Sequence, residues 1–74
     1  MTDEASLKLE TIRANVRALM TSTEAAMLSD SQYAELEDLE REVIQLCDLG
    51  DEEGARATEK VIADIINEGP TGDE

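Results

Sequence analysis

Apolar residues recur along this chain at spacings of three and four, and the clearest run begins at Tyr33. Tyr33, Leu36, Leu39, Val43, Leu46 and Leu49 follow one another at three, three, four, three and three. That is the period of a helix and not the period of two expected of a strand. Ile44 and Cys47 widen the stripe into a face. Its start is marked by Ser29-Asp30-Ser31-Gln32. The Ser29 hydroxyl can accept from the amide three residues on, while the Gln32 side chain reaches back to the Ser29 amide, which makes a capping box. Leu28 and Tyr33 stand on either side of the cap as a hydrophobic staple. Gly50 tolerates the left-handed conformation that ends many helices. The pattern predicts a helix over 30–49.

Upstream, Ala5, Leu9, Ile12, Val16 and Leu19 follow at four, three, four and three, a coiled-coil-like seam. Met20 and Met27 flank it, Thr23 and Ala26 continue it weakly, and Thr2 or Asp3 can cap its start. Thr21-Ser22-Thr23 are poor helix formers, and Thr21 with Glu24 offers a further capping box. The reading taken is one helix over 3–27, with any bend near Thr21. At ~1.5 Å per residue it would be nearly 40 Å long against 30 Å for the next helix. It would then overhang its own partners, and a second chain is the economical cover for the overhang.

Downstream, the short Leu49-Gly50-Asp51 connection predicts an antiparallel hairpin. Asp51 caps the next helix, and Glu52 and Glu53 suit the positive end of its dipole. Gly54 costs up to about 1 kcal/mol inside a helix; close approach of the preceding helix is one reason for a small residue there. Ala55, Thr58, Ile62 and Ile65 form the inner stripe, with Val61 and Ile66 beside it. Glu37 to Arg41 and Glu52 to Arg56 are pairs in the favoured order, and Lys60 to Asp64 is the reverse. Gly69-Pro70 stops the helix, and residues 70–74 are expected to be a flexible acidic tail. The fold expected is all-α, a single domain over 1–69 with helices near 3–27, 30–49 and 52–68. The long first helix packs on the hairpin of the other two.

Gly50-Asp51-Glu52-Glu53-Gly54-Ala55, followed by a helix and then Pro70, resembles the second half of a tetratricopeptide-type repeat. In that family the Gly-Asp turn and an early Ala let two helices pack closely. The resemblance implies a helical hairpin that binds a peptide or a partner helix. It covers one hairpin, with Glu59 where the repeat carries a bulky aromatic, and such repeats need about three units for stability.

Composition turns this architecture toward assembly. The chain has 74 residues, 41% of them hydrophobic, with no His, Trp or Phe and a single Tyr. That apolar content is too high for a disordered chain. It is nearly all small and aliphatic, however, and a domain of ~60 residues buries only about 60% of its unfolded surface. A homodimer is therefore expected to supply the missing burial. Residues 1–17 are electrically neutral, and the remainder carries the whole net charge of −13. Arg13 and Arg17, four apart, can then meet the acidic rim of a neighbouring chain and set the register. The expected interface comprises Leu9, Ile12, Arg13, Val16, Arg17, Leu19, Met20 and Met27; its Met20 and Met27 edge also suits an apolar-groove protein partner, and the acidic net charge suits a basic one.

So acidic a chain repels nucleic acid and anionic membranes, so neither is expected as a direct partner. No stretch approaches the ~20 apolar residues that span a bilayer, and the N-terminus lacks the regions of a signal peptide. The single Cys47 fits a reducing compartment, so the expected location is cytoplasmic. Enzyme chemistry finds little to work with. Without His there is no imidazole base, and no basic residue is placed to activate Ser or Cys. Cys47, on an apolar face, reads as a small hydrophobe. Asp48, Asp51, Glu52 and Glu53 crowd one turn but lack the alternating ligands of a calcium loop. Helix capping accounts for them better, so neither catalytic residues, cofactor nor metal are expected. The reading preferred is a non-enzymatic protein–protein interaction module, a regulator, adaptor or chaperone-like helical dimer. The alternative is a nucleic-acid mimic that presents Glu35, Asp38, Glu42 and Glu59 as phosphate substitutes to a basic DNA-binding protein.

Overall fold

The computed structural model describes residues 4–70, apart from the side chains of residues 5 and 6, and is all-α. Its helices are α1 (Glu4–Met20), α2 (Thr23–Ala26), α3 (Asp30–Leu49) and α4 (Glu52–Glu68). The cap at Thr2 or Asp3, the side chain of the Ala5 seam position and tail residues 71–74 lie outside what is described.

The single first helix expected over 3–27 is broken, and Ser22 breaks it. Its backbone is extended, at φ −72° and ψ 158°. The Ser22 hydroxyl donates to the Leu19 carbonyl at 2.7 Å and accepts from the Ala25 amide at 3.2 Å. One oxygen thus closes α1 and opens α2. The Arg17 carbonyl takes both the Thr21 amide and the Thr21 hydroxyl, each at 3.0 Å, and the Leu19 carbonyl also takes the Ser22 amide at 3.2 Å. Side chains thus supplement the backbone bonds at this end of α1. The expected Thr21–Glu24 box is therefore one residue out of register. Shortened to 17 residues, α1 spans roughly 26 Å, close to the length of each hairpin helix.

The capping box of α3 forms as its sequence requires. Gln32 N–H donates to Ser29 Oγ at 3.2 Å, and Ser29 N–H donates to Gln32 Oε1 at 3.1 Å. Gln32 Nε2 also donates to the Gly69 carbonyl at 3.1 Å, tying the start of α3 to the end of α4. At the other end, Gly50 takes φ 81°. Its amide donates to Cys47 O at 3.0 Å, and that of Asp51 to Leu46 O at 2.8 Å. This pair of bonds is a Schellman turn.

Two bonds fix the direction of α1. Tyr33 Oη, at the start of α3, donates to Met20 O at 3.1 Å, and Cys47 Sγ, near its end, donates to Leu9 O at 3.7 Å. So α1 runs antiparallel to α3 and parallel to α4. The shared core takes Ile12, Val16 and Met20 from α1, Leu36 and Val43 from α3, and Ala55, Ile62 and Ile66 from α4. Ala25 and Leu28 of the connector close one end of it.

Leu49 is 80% exposed, and Val61 and Ile44 also face solvent, so three positions of the apolar faces depart from the pattern. Each step of three residues falls about 60° short of a full turn at ~100° per residue. Two such steps after Val43 swing Leu49 off the core face. The pair expected between Glu37 and Arg41 is replaced by Asp38–Arg41 at 2.8 Å, whereas Glu52–Arg56 forms at 2.8 Å. Lys60 and Asp64 make no ion pair among the described residues. These exposed pairs contribute little either way.

Gly54 serves a purpose other than close helix packing. Asp51 Oδ1 accepts from the Gly54 amide at 3.0 Å, and a Cβ on residue 54 would lie 2.7 Å from Asp51 Oδ2. The small residue makes room for the capping carboxylate. Gly54→Ala is thus expected to be near neutral, its helix-propensity gain of about 1 kcal/mol cancelled by the disturbed cap. In an Asp51→Ala background the same substitution should stabilise by the full ~1 kcal/mol, as urea unfolding of the double-mutant cycle would read. An equal effect in both backgrounds would disprove the coupling.

Candidate functional site

A groove of about 260 Å³ runs between α1 and α3. The helical period places Arg13 and Arg17 on one exposed edge of α1, with the small Ala14 beside them. Across the groove, Glu40 and Ile44, also four apart, edge α3. Val16 and Val43 form the floor and are almost fully buried at 1% and 0% exposure. Ile44, which the stripe placed on the core face, is 37% exposed and offers the groove an apolar shoulder. Arg13 and Arg17 form no ion pair among the described residues, although Glu40 shares their groove.

The expected interface is only partly gathered here. Arg13, Val16 and Arg17 meet in the groove. Ile12 and Met20 are buried in the core of a single chain, at 3% and 6% exposure, and Leu9 and Leu19 pack half-buried against it. The chain's own hairpin thus covers Ile12, Val16 and Met20, so these three are core positions of a single chain. Met27 is exposed just beyond α2, outside the groove lining. The apolar pattern does not mark Glu40 and Ile44 as interface residues; their four-residue spacing on the flank of the stripe is the available signal.

The acidic positions separate. Glu35, Asp38 and Glu42 are exposed on α3, with Asp38 engaged by Arg41. Glu59 instead lines a second groove, of about 330 Å³ between α1 and α4, with Lys8 and Arg56 in its walls. Cations around Glu59 weaken its part in a phosphate-like row.

Cys47 is half-buried. Desolvation pushes its thiol pKa above the ordinary value, the Arg13 charge opposes the shift, and Asp48 adds to it. A protonated thiol also suits its bond to Leu9 O, in which the S–H donates. Reactivity needs the thiolate, so both observations describe a packing residue. Among the described residues no three of His, Cys, Asp and Glu are grouped to hold a metal ion, and no helix is long and apolar enough to cross a membrane. The carboxylates near the hairpin turn have structural work: Asp51 caps α4 and Glu52 holds Arg56. No protein-family model, curated protein or solved structure matches the chain.

Proposed function

We propose that this chain is a small, non-enzymatic protein–protein interaction module, a regulator or adaptor that works through the groove between α1 and α3. One observation carries the reading. Two of the chain's six basic residues stand together at an apolar groove, exposed and unpaired among the described residues, in a chain of net charge −13. Nineteen acids are available to neutralise them, so unpaired guanidiniums beside Ile44 and Ala14 suit a partner with a carboxylate and an apolar side chain. Catalysis has no comparable support, since the groove brings together no nucleophile and base.

The test places a photo-crosslinking amino acid at position 44 and, separately, at Gln45 on the exposed side of α3. In the native host, position 44 should give a discrete adduct with a polypeptide, and position 45 should give none. Equal labelling from both positions, or none from 44, would overturn the reading.

A further inference from the structure

We infer that the groove between α1 and α3 is occupied by a second copy of this chain, in a two-fold dimer whose axis runs along the helices. The inference rests on the groove being a protein-binding surface and names its partner. The groove is self-complementary, with two cations on its α1 edge and Glu40 on its α3 edge. A two-fold interface joins the same patch from both subunits, so each residue must find its partner on the identical surface. Because α1 and α3 lie side by side, an axis along them carries the partner's α1 opposite this α3 at the same height. Each Arg13–Arg17 pair then meets the other copy's Glu40, and the two Ile44 side chains approach near the axis. An axis across the helices would instead set α1 on α1 and bring four guanidiniums together. Charge selects the first arrangement.

The size of the face sets the strength. Helices of roughly 26 and 30 Å, about 10 Å apart, offer on the order of 500 Å² per copy. That doubles to about 1,000 Å², the lower bound for a specific interface. The dimer is accordingly weak, reversible and salt-sensitive.

The experiment is sedimentation equilibrium on the full chain, with circular dichroism confirming that each variant is helical. Wild type should dimerise, while R13E/R17E alone and E40R alone should each weaken dimerisation about 10-fold or more. An equimolar mixture of the two variants should restore it, because both sets of pairs are then opposite in charge across the heterodimer. Mixing keeps the test sharp even if a variant is less stable by itself. A monomeric wild type, variants that dimerise as wild type does, or a mixture that stays monomeric would each overturn the inference. If wild type is monomeric while position 44 still crosslinks to a different polypeptide, the second copy is refuted and the binding module stands.

Discussion

Val16→Asp is expected to abolish cooperative folding. Val16 is 1% exposed, on the floor of the groove and within the core. A carboxylate buried there costs several kcal/mol or forces α1 off the hairpin, since Arg13 and Arg17 stand on the exposed edge of the groove and not in the core. A 74-residue domain has a total stability of only about 4–11 kcal/mol at typical values per residue. Circular dichroism should show loss of helix and of the melting transition at every protein concentration. This outcome separates a core position from a seam between chains. At a seam, the same change would give a folded monomer with an intact transition, and observing one would contradict the burial described here.

Leu36→Ala has the next largest expected effect. Leu36 is completely buried in the shared core and is among the largest fully covered side chains. Truncating it removes transfer energy and leaves a cavity, at a cost of about 2–5 kcal/mol in urea unfolding. Leu49→Ala, at the 80% exposed end of the same stripe, should change stability by no more than ~0.5 kcal/mol. A loss below about 1 kcal/mol at position 36 would mean that the face is loosely packed.

Where local chemistry alone decides the structure, the chain was readable. Ser29 and Gln32 specify a helix start through their own hydrogen bonds, Gly50 specifies a stop, and the stripe between them needs no knowledge of the rest of the fold. The limits of α3 and α4 follow from such signals. Ser22 was harder, because its neighbours keep the helical spacing alive and a hydroxyl serves a helix interior, a C-terminus or an N-cap equally well in the letters. What decides is where Ala25 must go. It is fully buried, and reaching that place requires the chain to turn. Without that break α1 reads as too long, and its core residues Ile12, Val16 and Met20 read as a seam.

The groove was half visible for a related reason. Arg13 and Arg17 stand out because cations are scarce, but their company depends on α1 packing antiparallel to α3, which no local pattern encodes. The Tyr33–Met20 and Cys47–Leu9 bonds that fix it join residues 13 and 38 apart. Gly54 shows the same limit at short range, since the atom that needs the space belongs to the cap three residues earlier.

The tie between Gln32 and Gly69 explains a choice of side chain. A capping box accepts glutamate as readily as glutamine at this position, and this chain otherwise favours acids. Glutamate would return the Ser29 bond but could not donate, and its second oxygen would face the Gly69 carbonyl, acceptor against acceptor. Only an uncharged side chain that gives a proton at one end and takes one at the other can start α3 and fasten the finish of α4 in the same rotamer.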